Sequence, residues 1–170
     1  MEKLFEYGKV IFSYPCKEQV DDMVEMMNCA SIASMLFTRE RKFTREMELD
    51  WIEANQDGYN FSVYDCDSLE YVGNCGFNDI ENNRGEIGLT ICEKMQGKHY
   101  AKDIIKGLMK YAFDELKLDE VYGIIFSDNI RSLNCTKQLG FKEYNRDEHI
   151  FERNGIPVDD VYLSYKRIYE

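Results

Sequence analysis

The stretch from Gly85 to Phe141 constrains this chain more than any other. Ile87, Leu89 and Ile91 alternate with Glu86, Gly88, Thr90 and Cys92, the period of a pleated strand with one apolar face and one polar face. A short loop follows, and then Tyr100, Ala101, Ile104, Ile105, Leu108, Met109, Ala112, Phe113 and Leu116 form the single apolar stripe of an amphipathic helix. Val121 to Ser127 reads as a second, apolar strand. Strand, tight turn, helix and strand make a βαβ crossover, so the two strands are expected to lie parallel in one sheet.

The start of that helix carries the chemistry. The first four N–H groups of a helix lack partners within it, and no Ser, Thr, Asp or Asn stands between Met95 and Tyr100 to cap them. Gly97 allows a bulky group to approach the backbone, and the helix dipole favours negative charge there. Lys94, Lys98, Lys102 and Lys106 add cations around the same turn. Lysines at this spacing alone read as a solvated helix face; together with the loop they point to a phosphate or pyrophosphate.

The loop also carries a family resemblance. Gln96-Gly97-Lys98-His99-Tyr100-Ala101 resembles the acyl-coenzyme A loop of the GNAT superfamily of N-acetyltransferases: Gln or Arg, two residues, Gly, one residue, Gly or Ala. Asn129-Ile130-Arg131-Ser132 and Gln138-Leu139-Gly140-Phe141 resemble the family's asparagine-containing helix and its exit. The tail, Asn154 to Asp159 and then Val161 to Ser164, is similar to the closing hairpin of the ribosomal-protein N-terminal (RimJ/RimL-like) branch. The resemblance covers most of the chain and is weakest over the first 55 residues.

It implies one α/β domain over residues 1–170, with a mixed, largely antiparallel, twisted sheet of seven strands, helices on both faces and a central β-α-β acyl-CoA site. It also implies transfer of an acetyl group from acetyl-CoA to a primary amine by direct attack. Leu89, Thr90 and Ile91 would contact pantetheine, while Gln96, Gly97, Lys98, His99, Tyr100, Ala101 and Asn129 would contact the rest of the cofactor. Acetyl-CoA would lie in a cleft between the central strand and Val121 to Ser127. Two departures stand out: His99 replaces the family's first loop glycine, and Thr136 stands where many members have a tyrosine that protonates the departing thiolate.

An alkyl amine with a pKa of about 10.4 arrives protonated at neutral pH and must lose a proton before it attacks a thioester. Glu86, on the polar face of the central strand, is the candidate base, acting through water, against the plainer reading of an exposed strand carboxylate. Ser132, Cys135 and Thr136 are the candidate donors to the leaving thiolate. Cys92 or Cys135 as an acyl-carrying nucleophile lacks an evident base partner. Tyr144 and Tyr162 read as hairpin packing.

The net charge of −11 argues against a nucleic-acid surface, which needs clustered cations. It suits a cationic substrate and, equally, plain solubility. The six cysteines include no CxxC pair, so structural zinc and thioredoxin-like chemistry are set aside, no metal is expected, and a reducing compartment is. No run reaches membrane-span length and the N-terminus lacks a signal-like apolar core, which predicts a cytoplasmic protein. A monomer or homodimer is expected. No GxGxxG follows a strand, which sets aside a dinucleotide fold. His99 and the missing tyrosine motivate a second reading, a CoA-binding module with little catalysis; a polyamine or antibiotic acetyltransferase is the other alternative.

In chain order, the pattern predicts a strand over Lys9 to Tyr14, then a helix over Glu18 to Met27 with Val20, Met23, Val24 and Met27 on one face. Asn28 to Phe43 is mixed and resembles the region where family members shape the acceptor site; Met35, Leu36 and Phe37 are expected in the core rather than lining that site. A helix capped by Thr44 runs through Asn55. Strands follow over 59–64 and 69–77 before the central one. After the crossover, Asn129 caps a short helix ending at Gly140, and 141–151 pairs with 160–168 around Asn154-Gly155.

Overall fold

The computed structural model describes residues 2–36 and 41–168. Eight strands and five helices are found among them: β1 Lys3–Tyr7, β2 Val10–Ser13, α1 Val20–Asn28, α2 Ala30–Met35, α3 Arg45–Ala54, β3 Asn60–Asp65, β4 Tyr71–Glu81, β5 Arg84–Ile91, α4 Tyr100–Asp114, β6 Glu120–Phe126, α5 Ile130–Gln138, β7 Lys142–Arg153 and β8 Ile156–Lys166. The strand order is β1-β2-β3-β4-β5-β6-β8-β7. β5 and β6 are parallel, as the crossover requires, and the other pairings with described register are antiparallel.

The chain forms two compact units, residues 1–77 with 88–107, and residues 78–87 with 108–170. In the first, the core is aromatic. Phe12 stacks on Phe5 at 4.3 Å between centroids and meets Phe61 edge-on at 6.0 Å. Gly107 of α4 faces Phe12, where a Cβ would lie 2.5 Å from the ring, so the helix can approach the strand only because that position has no side chain. Each fully buried phenylalanine is worth roughly 1.5–3 kcal/mol of transfer free energy. On α1, Val20, Met23 and Met26 are buried, so the inward stripe passes through Met26, and Val24 and Met27 lie at its margin. Thr44 caps α3 by accepting the Met47 N–H at 3.3 Å, with Glu46 and Glu48 in the first turn where the helix dipole favours acids.

The second unit is built on β6, β8 and the lower turns of α4. Leu108, Ala112, Val121, Val158, Val161 and Leu163 are all fully buried. β8 pairs with β6 over Glu120↔Lys166 to Phe126↔Asp160 and with β7 on its other side. The Asn154-Gly155 turn joining β7 and β8 has both residues left-handed, the geometry favoured by two-residue hairpins.

Several expectations change. The sheet has eight strands, because β1 was not anticipated: its residues are mostly exposed, so it lacks a clear apolar face. Gly8, at φ +55°, opens the two-residue turn that joins β1 to β2, a position where glycine adopts a conformation costly for other residues. The strand expected over 9–14 is shorter, and α1 begins at Val20 after a single 3-10 turn over Lys17–Gln19. The final strands run closer to their turn than the pattern suggested. Met35 and Leu36 are exposed, at 39% and 40%, since α2 buries only Ile32 and Ala33; Phe37 lies outside the described residues.

Candidate active site

Of the expected site residues, those on β5 from Gly88 onward, in the loop after it and in the first turn of α4 lie in the first unit, and Glu86 and those on α5 lie in the second. β5 ends at Ile91, and the Cys92 N–H donates to the Val72 carbonyl at 2.9 Å. Gly73 of β4 admits the approach of Thr90, for a Cβ there would stand 2.0 Å from the Thr90 carbonyl oxygen. A 3-10 turn over Glu93–Met95 buries Met95. Gln96 then folds back, its Nε2 donating to the Ile91 carbonyl at 3.1 Å. That side chain ties the loop to the end of the strand.

Gly97 and His99 are both left-handed, at φ +79° and +66°, and α4 begins at Tyr100. His99 adopts the conformation that glycine reaches freely, which costs a residue with a Cβ about 1–2 kcal/mol. The loop from Gln96 to His99 is exposed, and a Cβ on Gly97 would meet nothing within 4 Å. The backbone therefore has open space in front of a helix N-terminus. Lys94 pairs with Asp22 at 3.7 Å, so its charge is shared with an acid.

Tyr100 points away from that space. Its ring is buried and its hydroxyl donates to Asp65 Oδ2 at 2.7 Å. Asp65 Oδ1 accepts the main-chain N–H of Ser68 at 2.8 Å and of Asp67 at 3.0 Å, and the Ser68 hydroxyl at 3.1 Å. These bonds, led by that from the Ser68 N–H and followed by that from Tyr100, hold the Asp65 carboxyl down at about 2. Burial, with Asp65 beside it, pushes the Tyr100 hydroxyl up to about 12. Tyr100 is thus available to a ligand through its main chain, while its side chain anchors the helix. Asp65 to Ser68 reads in the sequence as a turn between two strands, and nothing local marks its first carboxylate as the anchor of α4.

Thr90, Leu89 and Ile91 are half-buried on β5, and Ile87 alone of the expected apolar face is buried. The parallel ladder between β5 and β6 has three pairs and ends at Glu86↔Tyr122. Glu86 is half-buried, and its carboxylate accepts a hydrogen bond from Asn78 Nδ2 at 3.0 Å. Burial first, and the charge of Glu86 next, raise the Tyr122 hydroxyl above its usual range. Glu86 thus sits where the ladder stops.

On α5, Asn129 accepts the Ser132 N–H at 3.2 Å, as a cap should. Thr136 is buried at 5% exposure, whereas Ser132 and Cys135 are half-buried. Of the hydroxyls proposed for the leaving group, Ser132 is the more accessible. Tyr162 donates to Asp147 at 2.7 Å and its ring lies 6.0 Å from that of Tyr144, so both serve the hairpin. An open depression of about 730 Å³ lies elsewhere in the first unit, lined by Asn28, Ser31, Ser34, Arg41 and Lys42 among others.

A family model for the acetyltransferase (GNAT) domain matches residues 9–142. The chain belongs to the GNAT acetyltransferase family. Among curated proteins it is similar to an uncharacterised N-acetyltransferase, p20, of Bacillus licheniformis, with 28% identity over 149 residues, 85% of this chain and 70% of that protein. Among solved structures, a GNAT acetyltransferase from Bacillus anthracis matches with a TM-score of 0.83 at 19% identity, covering 96% of this chain and 98% of the other. A spermidine N-acetyltransferase from Vibrio cholerae, in complex with CoA and spermine, matches with a TM-score of 0.82 at 19% identity over 93% and 95% of the two chains. These structural likenesses show that the chain has the GNAT fold.

Proposed function

We propose that this GNAT chain, as a single domain over residues 1–170, moves an acetyl group from acetyl-CoA to a primary amine. The observation that carries the proposal is the exposed loop Gln96 to His99, with two left-handed residues leading directly into α4 and open space before Gly97. Its N–H groups and the dipole of α4 suit a pyrophosphate. Gly97, Lys98, His99, Tyr100 and Ala101 would hold it through main-chain groups, with Gln96 keeping the loop in place. The main chain of Leu89, Thr90 and Ile91 offers an extended edge to the pantetheine amides, as added strands use sheet edges. Asn129 would approach the cofactor from the start of α5.

In the reaction, the amine nitrogen bonds to the acetyl carbonyl carbon, the carbon–sulfur bond breaks, and the thiolate leaves with the electron pair. Glu86 takes the ammonium proton through water. Ser132 donates a hydrogen bond to the thiolate, and the second proton, shed by the nitrogen as the amide forms, reaches the thiolate through water; the buried Thr136 is a weaker choice. Neither a metal nor a covalent enzyme intermediate is needed.

The RimJ/RimL-like tail supports an acceptor at a protein or peptide N-terminus, in the cytoplasm, for a monomer or homodimer. A structural neighbour solved with spermine supports a polyamine as the alternative. The test is thiol release from acetyl-CoA with short peptides of varied N-terminus, spermidine, amino acids and aminoglycosides. Turnover with one class is the expected result and names the acceptor. CoA binding with a silent panel would favour a binding module, and no CoA binding would overturn the proposal.

A further inference from the structure

The β1–β2 turn reaches the phosphate loop from behind, and every contact lies within the first unit. Gly8 packs against Asp103 in the first turn of α4, where a Cβ would lie 2.5 Å from the carboxyl carbon. The Lys9 N–H donates to Asp103 Oδ2 at 3.3 Å, and the Lys9 carbonyl accepts the Cys66 N–H at 3.0 Å. The Lys9 ammonium donates to the Lys98 main-chain carbonyl and lies 4.6 Å from the centre of the Tyr100 ring. Among the described residues it pairs with no carboxylate.

We infer that Lys9 is a positioning residue for the phosphate loop, and that it does the work a glycine at position 99 would otherwise do. In a trans peptide the C=O and the following N–H point in opposite directions. Drawing the Lys98 carbonyl back toward Lys9 therefore turns the His99 N–H forward, into the open space at the head of α4. That orientation goes with the left-handed conformation of His99, which a residue with a Cβ leaves readily unless its surroundings hold it. A charge-assisted hydrogen bond from Lys9 is about strong enough to hold it. Lys9 itself is held at its main chain by Asp103 and Cys66, so the ammonium starts from a fixed base.

The inference rests on the acetyl-CoA reading, and the experiment separates the two. Lys9→Met keeps the stem over Tyr100 and removes the donor; Lys9→Arg restores a donor. By calorimetric titration, Lys9→Met should bind CoA roughly tenfold more weakly than the parent, with Lys9→Arg recovering most of the loss. In a His99→Gly background the same substitution should cost no more than about threefold, since glycine needs no tether. Turnover of S-acetylpantetheine, which lacks the pyrophosphate, should change by less than about twofold. In the ligand-free protein, the NMR shift of the Lys98 carbonyl carbon and the backbone shifts of His99, which report the hydrogen bond that carbonyl accepts and the left-handed φ, should move in Lys9→Met and return in Lys9→Arg, with the interior of α4 unchanged.

A parent protein that fails to bind CoA overturns the acetyl-CoA reading, and the tether is then decided by the Lys98 and His99 backbone shifts alone. Shifts there that do not change in Lys9→Met overturn the tether whatever CoA does. Equal losses with CoA and S-acetylpantetheine, or an undiminished loss in the His99→Gly background, overturn it also.

Discussion

Replacing Tyr100 by Phe removes one hydroxyl and leaves the ring. In the parent protein that hydroxyl supplies the hydrogen bond to Asp65 Oδ2, while the three other donors to Asp65 all converge on Oδ1. The substitution therefore strips one oxygen of a carboxylate and spares the other. A buried hydrogen bond to a charged group is worth about 1.5–3 kcal/mol, so Tyr100→Phe should lose about 2 kcal/mol at pH 7. At roughly 2–4 °C per kcal/mol for a chain of this size, that is a fall in Tm of about 4–8 °C. The pH dependence follows from the Asp65 carboxyl, which stands at about 2 in the parent. Without the Tyr100 bond it titrates higher, and the unfolded chains titrate alike. The stability difference is thus complete above the ordinary carboxylate range and shrinks as the pH falls toward about 2. Urea unfolding of both proteins from pH 7 downward measures this. A loss below about 0.5 kcal/mol at pH 7, or one that stays constant into acid, would refute the reasoning.

Three further outcomes are expected. Glu86→Gln should lower kcat at pH 7 by about a hundredfold, the lower end of general-base effects, with calorimetric CoA affinity within about twofold of the parent. Thr44→Ala removes the cap on α3 and should cost about 1 kcal/mol, read as a fall in Tm of roughly 2–4 °C. Asp160 carries a carboxyl raised by burial and then by Asp147, with one oxygen lacking a hydrogen bond among the described residues. Asp160→Asn should therefore raise unfolding stability by about 1 kcal/mol at pH 7. That advantage should vanish as the pH falls through the raised pKa and the parent carboxyl protonates.

Local rules made much of this protein legible. The strand at β5, the stripe on α4, the Thr44 and Asn129 caps and the Asn154-Gly155 turn all rest on residues within a few positions of each other, and each is found, although only Ile87 of the apolar face expected on β5 is buried. The loop Gln96 to Ala101 stood out through its resemblance to the GNAT acyl-CoA loop and through an uncapped helix start beside it. What sequence could not give was the direction of side chains fixed by distant partners. Tyr100 is turned inward by an acid 35 positions away, and Lys9 reaches a carbonyl 89 positions on. Met35 and Leu36 were expected inside because apolar side chains usually are, yet a six-residue helix has one narrow buried side.

The parallel ladder of three pairs between β5 and β6 bears on how the chain reaches its fold. β1–β2 and β7–β8 close through two-residue turns, and such hairpins form on a timescale of about 1–10 μs. Glu86 and Tyr122, by contrast, meet only after the whole of α4 has folded across, for few main-chain bonds in return. The entropy of closing that long loop comes before the reward. Val121→Ala should accordingly speed unfolding while barely slowing refolding, whereas mutations flanking Asn154-Gly155 should slow refolding. Stopped-flow rates with the opposite pattern would place the crossover in the folding nucleus.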